Sequence, residues 1–231
     1  MLCLVYHIHY TMSKTYQSVT TDVVIFTVED DHLNVLLIKR SNAPFQNFWA
    51  LPGGFLHENE SPEKAAARVL KDKAGITNVY LEQLYTFADS GRDPRGSIIT
   101  ISYFALAPQD KIKINKSDKT QTPTFYPIKK MPKLAFDHKG IIGYALKRLQ
   151  SKLEYTNVVY SLLPRYFTFN RLQKTYEAIL GRKLDKRNFR KKFLQLGLIK
   201  PTKKILSGTR QRPAVLYEFT FRKPATLKKF F

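Results

Sequence analysis

The residues with the clearest chemical potential lie between Gly54 and Gly75, where charged side chains recur at helical spacing. Val69, Asp72 and Lys73 occupy positions i, i+3 and i+4, so they project from one face of a helix. Three carboxylates at that spacing would bind a hard cation such as magnesium through oxygen ligands. The valine offers no ligand, and the lysine places an ammonium group beside the single carboxylate. We therefore predict no metal site, no catalytic residue and no required cofactor for this segment.

The helix that carries this face is marked at both of its ends. Ser61 is a good N-cap, and Pro62 suits the first helical position. Gly75 is typical of the residue that ends a helix. The sequence therefore predicts a helix over residues 62–73.

Strand-like segments surround this helix. They are rich in aliphatic, β-branched and aromatic residues, and polar turns separate them. The predicted strands span residues 20–28, 34–39, 78–87, 97–107 and 125–128, and a further helix spans residues 137–153. A lysine-rich segment over residues 110–124 is predicted to be an excursion from this pattern.

The positive charge of the chain is concentrated in its last third. The whole chain carries a net charge of +21, and residues 151–231 hold 20 Lys/Arg and 4 Asp/Glu. The preceding 150 residues hold 19 and 14. An excess of this size in a small region favours a nucleic-acid partner over a merely solubilising surface. The shift in charge also predicts a domain over residues 20–153 and a second domain over residues 154–231.

The basic region has its own pattern of helices and strands. The predicted elements are helices over residues 170–180 and 185–196 and strands over residues 198–205 and 214–221. Phe189, Phe193 and Leu196 recur at spacings of four and three, so they form the inward face of the second helix. Its basic residues must then lie on the other surfaces of that helix.

The spacing of Gly54, Glu60, Arg68 and Gly75 resembles the Nudix box, a loop–helix–loop motif of hydrolases that act on nucleoside diphosphates. In active members, acidic residues after the arginine hold magnesium, and those are the three positions described above. The approach to the box, over residues 45–55, resembles that of Nudix enzymes acting on ADP-ribose and related compounds. The resemblance indicates a nucleotide pocket that has lost its metal site.

A narrower resemblance covers nearly the whole chain, from residue 20 to residue 221. The segments similar to the Nudix-related transcriptional regulators of NAD metabolism, the NrtR-like proteins, are residues 82–89, 92–96, 101–106, 134–138 and 184–192. The resemblance implies an α/β fold, in which a Nudix-like α/β/α sandwich is followed by a winged helix-turn-helix domain. It also implies ADP-ribose as the effector ligand and double-stranded operator DNA as the partner. A degraded box is common in that family, which agrees with the regulator interpretation.

The candidate ligand-binding residues follow from the chemistry of a pyrophosphate and an adenine. Arginine suits bidentate contact with phosphate, glycine allows close backbone approach, and an aromatic ring can stack on a base. The candidates are Arg40, Phe48, Gly53, Gly54, Lys73, Arg92 and Arg95. Two alternatives stay open, namely a solvated loop in which the last two arginines pair with Asp93, and core packing for the phenylalanine.

The candidate DNA-binding residues lie on the second helix of the basic domain and around its wing. In a winged helix the second helix enters the major groove, where arginine grips guanine and lysine neutralises phosphate. The candidates are Lys186, Arg187, Asn188, Arg190, Lys191, Lys203, Lys204, Arg210 and Arg212. The asparagine is open to a second interpretation, as a cap or brace.

The leading hypothesis is a DNA-binding regulator, most simply a repressor of NAD biosynthesis or salvage genes, released from its operator by ADP-ribose or a related nucleotide. Winged helix proteins usually bind as dimers to paired half-sites, so a homodimer and a palindromic operator are expected. The single cysteine, Cys3, excludes an intrachain disulfide and fits a reducing cytoplasm. No run approaches the length of a membrane span, so no membrane association is expected.

Two other functions stay open at this stage. The first is a Nudix ADP-ribose pyrophosphatase that uses displaced carboxylates such as Glu58, Glu60 or Glu63 with Asp72, with a nucleic-acid-binding tail. The second is a regulator of the same architecture that responds to sugars. Residues 1–19 are expected to be an extension outside the fold, and translation from Met12 instead of Met1 is an open alternative.

Overall fold

The computed structural model describes residues 17–112, 123–206 and 213–227. The strands are β1 (Ser18–Glu29), β2 (His32–Lys39), β3 (Trp49–Ala50), β4 (Gly53–Phe55), β5 (Tyr80–Phe87), β6 (Ile98–Leu106), β7 (Thr124–Pro127), β8 (Phe167–Thr168), β9 (Ile199–Leu206) and β10 (Ala214–Phe219). The α-helices are α1 (Pro62–Ala74), α2 (His138–Tyr155), α3 (Phe169–Leu180) and α4 (Lys186–Gln195). These elements form a Nudix-like sandwich followed by a winged helix, which confirms the predicted fold class.

The first sheet is organised around β1, which is buried along most of its length. The strand order is β3-β2-β1-β6-β5, with β4 added to β1 and β7 added to β2. Only the β1–β6 pair is parallel among the described strands, and β1 and β2 form an antiparallel hairpin. Residues of β1 alternate between two apolar layers, with Val23 and Ile25 on one face and Val24 and Phe26 on the other.

Helix α1 covers one face of this sheet, and its ends are those that the sequence predicts. The Ser61 side chain accepts a hydrogen bond from the backbone N–H of Lys64. Gly75 ends the helix in the left-handed conformation, with φ of 60°. The buried residues Val69 and Leu70 pack with Val23 of β1, so this helix is held by its apolar face.

Helix α2 covers the other face and also connects the two domains. Ile141, Ile142 and Ala145 pack against the sheet, and the same apolar cluster continues through Leu153 into the winged helix. The helix runs two residues past the predicted boundary at residue 153. The division at residues 153 and 154 therefore stays a prediction, because one continuous core joins both parts.

The second domain has helices α3 and α4 against a small antiparallel sheet of order β8-β10-β9. The Thr168 side chain accepts from the N–H of Arg171 at 3.1 Å, and that of Asp185 accepts from the N–H of Asn188 at 2.8 Å. Both helices therefore begin at a residue whose side chain caps the first turn. Phe193 of α4 and Tyr176 of α3 lie in the common core.

Some sequence predictions fall outside the described residues or at their limits. Residues 1–16 are outside them, as are Arg210, Arg212 and most of the predicted excursion. At the ends of that excursion, Asp110 lies in a short 3₁₀ helix and Thr124 begins β7. In the described part of the chain, every helix is too short or too polar to cross a membrane.

Candidate nucleotide pocket and DNA interface

A polar cavity of about 200 Å³ opens where the turn into α1, the loop before β6 and the start of α2 meet. Five of the seven predicted ligand residues line it: Arg40, Gly53, Gly54, Arg92 and Arg95. Asp22, Asp93, Phe55, Phe136 and His138 also line it, and the sequence analysis did not select them as ligand residues. The pocket therefore collects three guanidinium groups and two aromatic rings around one opening.

Arg92 anchors the wall of this pocket, with only 4% of its side chain exposed. Its Nε and Nη2 atoms donate to the two carboxylate oxygens of Asp137, each at 2.9 Å. A second carboxylate, Asp22, lies 3.7 Å from the same guanidinium. Because Arg92 is committed to two carboxylates, its main role is to join β1 to the start of α2. The sequence-based alternative of a solvated loop does not apply to this residue.

Arg95 and Arg40 also have partners within the protein, but both are more open to solvent than Arg92, and the Arg95 side chain is 36% exposed. Arg95 pairs with Asp93 at 2.6 Å and lies 5.3 Å from the ring centre of Phe55. Arg40 lies 4.7 Å from the ring centre of Phe136, and Arg95 lies 5.4 Å from the same ring. Burial, followed by repulsion from Arg95, lowers the pKa of Arg40 below its ordinary value, against the opposing effects of Asp93 and Asp22. The two guanidinium groups lie near the same Phe136 ring and repel each other, so an anion bound between them would be favoured.

Position 53 requires a glycine because the backbone there lies very close to β1. A Cβ atom at this position would lie 2.2 Å from Oδ1 of Asp22 and 2.8 Å from the backbone oxygen of Thr21. The neighbouring Gly54 has no such contact, since its nearest neighbour is a guanidinium nitrogen of Arg68 at 4.0 Å. The two glycines predicted for close backbone approach therefore differ, and the first of them is sterically constrained.

Replacement of Gly53 by alanine is therefore expected to displace Asp22 and to lower the unfolding free energy by about 1–3 kcal/mol. The same change should weaken ADP-ribose binding, because Asp22 lies beside Arg92 in the pocket wall. Gly54→Ala is the matched control for stability and should change the unfolding free energy little. Urea unfolding and calorimetric titration measure the two effects. Equal behaviour of the two variants would contradict this assignment.

His138 is buried at the base of the pocket, and its hydrogen bonds identify its tautomer. The backbone N–H of Leu51 donates to Nδ1 at 2.8 Å, so Nδ1 carries no proton. The proton of the neutral ring is then on Nε2, which lies 3.8 Å from Oδ2 of Asp22. Burial lowers the pKa of His138 below its ordinary value of 6.5, against an opposing effect of Asp22. A neutral imidazole is thus built into the wall.

This arrangement predicts a dependence of stability on pH. The folded-state pKa lies below the unfolded value of 6.5, so the contribution is fully present above pH 6.5. It is lost as the pH falls from 6.5 towards the folded pKa, by up to about 1.4 kcal/mol per pH unit. His138→Asn keeps an acceptor for Leu51 and should reduce this loss. Urea unfolding at pH 7.5 and 5.5 tests it, and identical pH dependence in both proteins would exclude His138 as the cause.

The structure places Phe48 and Lys73 outside the walls of this cavity. The Phe48 ring packs on Phe45 with its centre 5.8 Å away, and Lys133 lies 5.3 Å from the Phe48 ring. Lys73 is exposed on α1. The aromatic candidates that line the pocket are Phe55 and Phe136. The latter has a φ of 54° and is turned between Arg40 and Arg95.

The residues of the degraded box brace the fold. Arg68 donates to both carboxylate oxygens of Glu60, at 2.8 and 2.7 Å. The hydrogen bond from Arg68, together with that from the backbone of His57, lowers the pKa of Glu60 to about 2. Val69 is buried in the core, whereas Asp72 is exposed. Within the described ranges, no three His, Cys, Asp or Glu side chains are grouped to hold a metal ion.

The DNA-binding candidates on α4 divide by the direction of their side chains. Phe189 and Phe193 are buried, so Arg187 and Lys191 lie on the opposite, exposed face. Arg190 is held at the side of the helix, where Nη2 donates to the hydroxyl of Tyr217 at 2.9 Å. The Arg190 guanidinium also lies 4.7 Å from the ring centre of Phe169. Arg190 is therefore more constrained than the predicted base-reading role requires.

The remaining candidates lie around the same surface. Lys186 and Asn188 are exposed at the start of α4, and Lys203 is exposed on β9. Lys204 lies 3.9 Å from the ring centre of Tyr166, which fixes its direction on that strand. The backbone N–H of Asn188 donates to the side chain of the Asp185 N-cap at 2.8 Å, and the Asn188 side chain is exposed.

Comparison with known proteins places both domains in one family. A model of the NUDIX domain matches residues 18–145, and a model of the NrtR DNA-binding winged helix domain matches residues 159–219. The chain is similar to the ADPR responsive transcriptional repressor NtrR of Acinetobacter baylyi. The identity is 40% over 210 residues, which cover 88% of this chain and 82% of that protein.

Two solved structures support the same assignment. Shewanella oneidensis NrtR complexed with a 27mer DNA is 37% identical, with a TM-score of 0.78, and the match covers 87% of this chain and 93% of that one. The NUDIX domain of that protein complexed with ADP ribose is 39% identical, with a TM-score of 0.53, and the match covers 58% of this chain and 90% of that one. The resemblance found in the sequence is confirmed, and the chain belongs to the NrtR family of NUDIX proteins with a DNA-binding winged helix domain.

Proposed function

We propose that this chain is a transcriptional repressor that binds operator DNA through its winged helix and leaves it when ADP-ribose or a related nucleotide fills the NUDIX pocket. The carrying observation is that one chain combines an arginine-lined pocket with a basic, exposed face on α4, and that the residues described by the structure contain no carboxylate cluster that could hold a metal ion. The repressor and the two complexes described above, with DNA and with ADP ribose, support both halves of the proposal. The regulated genes would be those of NAD biosynthesis or salvage.

The pocket residues have different roles in this proposal. Arg40 and Arg95 would bind the pyrophosphate, because their guanidinium groups meet at the Phe136 ring. Gly53 would allow the ligand to approach the backbone, and Arg92 would hold the wall in place. An adenine or ribose ring would pack on Phe55 or Phe136. We assign no ligand contact to Phe48 or Lys73, because neither residue lines the cavity.

A ligand in this pocket can influence DNA binding through α2. The helix begins at His138 in the pocket, follows directly after Asp137, and ends at Tyr155 beside the winged helix. Its far end is tied to α3, since the side-chain amide of Gln150 donates to the backbone oxygen of Ile179 at 2.9 Å. ADP-ribose would favour the domain arrangement that fits DNA poorly, and the population would shift away from the operator.

The partners follow from the same architecture. A winged helix reads one half-site, so we expect a homodimer on a palindromic operator of double-stranded DNA. A repressor with a single cysteine fits the reducing cytoplasm. No cofactor is required, because the pocket binds its nucleotide without a metal in this proposal.

The experiment is a gel shift on DNA upstream of the chain's own gene and of NAD-related genes, with and without ADP-ribose. A specific complex that ADP-ribose dissociates is expected. Pentoses serve as the comparison for the sugar-responsive alternative. Binding that no nucleotide alters, or the absence of any specific complex, would refute the proposed function.

Hydrolysis of ADP-ribose is expected to be absent or very weak. Of the displaced carboxylates considered above, Glu60 is held by Arg68, while Glu58, Glu63 and Asp72 are exposed. Asp72→Ala should therefore leave any magnesium-dependent turnover unchanged, and Lys64→Ala on the same helix is the control. Product formation followed by chromatography measures it. Turnover that depends on magnesium and falls at least tenfold in Asp72→Ala would favour the hydrolase instead.

A further inference from the structure

A second cavity, of about 370 Å³, lies between the two domains and is separate from the nucleotide pocket. On the NUDIX side it is lined by the turn between β1 and β2, by residues 127–129 and by α2. On the other side it is lined by the last turns of α3 and the segment that follows that helix. Cavities of roughly 300–1,000 Å³ at domain interfaces are frequent ligand sites.

The interior of this interdomain cleft is mainly apolar. Leu33 and Ile179 are buried side chains, and Leu146 and Ala178 are partly buried. Gln150 supplies a polar group in the same wall. Its amide nitrogen is used by Ile179, and its amide oxygen accepts no hydrogen bond from the described residues. A ligand in the cleft would therefore meet apolar surface from both domains and one available acceptor.

The charges at the rim of the cleft are not balanced. The two acidic residues are already paired, Asp31 with Lys174 and Glu177 with Lys183. Lys129 and Arg182 are exposed and have no acidic partner in the part of the chain that the structure describes. One of these two cations comes from each domain. A ligand that carries negative charge would find a cation on both sides of the opening.

We propose that the interdomain cleft is a second ligand site, for a small apolar molecule that carries an acid group. The apolar part would occupy the space between Leu146 and Ala178, and the acid group would meet Lys129 and Arg182. Such a ligand contacts both domains, so it would stabilise the arrangement in which the cleft exists. The proposal extends beyond ADP-ribose sensing, because the cleft shares no wall residue with the nucleotide pocket.

The test uses the full chain without DNA and the dye 1-anilinonaphthalene-8-sulfonate, which is apolar, carries one negative charge and fluoresces in apolar sites. Saturable binding to one site is expected. Ala178→Trp fills the cleft and should weaken binding at least tenfold. Lys129→Glu with Arg182→Glu reverses the rim charges and should weaken it about tenfold, as expected for loss of a charge-assisted contact.

The control carries the same change of charge at other exposed lysines, Lys130→Glu with Lys147→Glu, and should bind the dye within twofold of the unmodified chain. A second control, Tyr85→Ser, removes an exposed aromatic residue elsewhere and should also bind normally. Circular dichroism establishes that each variant is folded. If the rim variant, whose changes are exposed and do not affect folding, binds the dye as the charge-matched control does, the proposal is wrong.

Discussion

Replacement of Arg92 by alanine is expected to lower the unfolding free energy by about 3–5 kcal/mol, the typical cost of leaving buried charges unpaired. The guanidinium has 4% of its side chain exposed and bonds to both oxygens of Asp137. It also lies 3.7 Å from Asp22, which is itself buried. The variant would leave two carboxylates without the cation that they share.

The same variant should lose ADP-ribose binding, because Asp137 is the N-cap of α2 and the pocket wall depends on its position. Urea unfolding and calorimetry measure the two losses. Arg165→Ala is the control, since that side chain is 73% exposed and its pair with Glu218 contributes at most about 1 kcal/mol. Arg92→Lys should recover part of the stability but not the bidentate contact. If Arg92→Ala were as stable as Arg165→Ala, Arg92 would not be the anchor described above.

The second large effect is expected for Arg187→Ala combined with Lys191→Ala. Both residues lie on the exposed face of α4, opposite Phe189 and Phe193. Loss of one base contact and one phosphate contact should weaken operator binding roughly 100-fold or more, since a base-reading arginine alone contributes about 1–3 kcal/mol. Fluorescence anisotropy with labelled operator DNA measures the affinity.

The two single variants separate the roles of these residues. Lys191→Ala should weaken binding to all sequences and lower the slope of log affinity against log salt by about one. Arg187→Ala should also relax the preference for one base pair. Lys139→Ala with Lys147→Ala removes two exposed charges from α2 and should change operator affinity little. An unchanged salt slope in Lys191→Ala would remove that residue from the contact surface.

Local signals in the sequence predicted the helices well. Ser61 and Gly75 at the ends of α1, and Asp185 before α4, act through backbone groups within three or four residues. Such contacts depend on residue type and spacing alone, so they can be recognised without a structure. The run of β-branched and aliphatic residues over residues 20–28 predicted the strand β1 for the same reason.

The pocket was less predictable, because its contacts join distant parts of the chain. His138 accepts a hydrogen bond from Leu51, 87 residues away, and Arg92 pairs with Asp137, 45 residues away. The presence of arginine residues was enough to indicate a phosphate ligand. It did not show that Arg92 anchors the wall whereas Arg40 is open to a ligand. The segment 134–138 was recognised only by its similarity to the NrtR-like proteins, and that similarity did not indicate that Phe136 lies near two pocket arginines.

The wing shows a related limit. A basic turn between two strands indicates phosphate contacts, and Lys203 is exposed on β9 as expected. Arg190 and Arg187 are both arginines of α4, so the sequence predicted the same role for them. In the structure, however, the Arg190 guanidinium donates a hydrogen bond to the hydroxyl of Tyr217 on β10. A tertiary contact with another strand therefore constrains the Arg190 side chain, which residue type and helix position could not predict.

The most direct test of the regulator account is the affinity of ADP-ribose for the free chain and for the chain bound to its operator, measured by calorimetric titration. Coupling between two binding sites is reciprocal, and typical couplings change affinity about 5–150-fold. We predict that ADP-ribose binds the operator complex more weakly, by the same factor by which it weakens DNA binding. Equal affinity for the free and the DNA-bound chain would contradict the account.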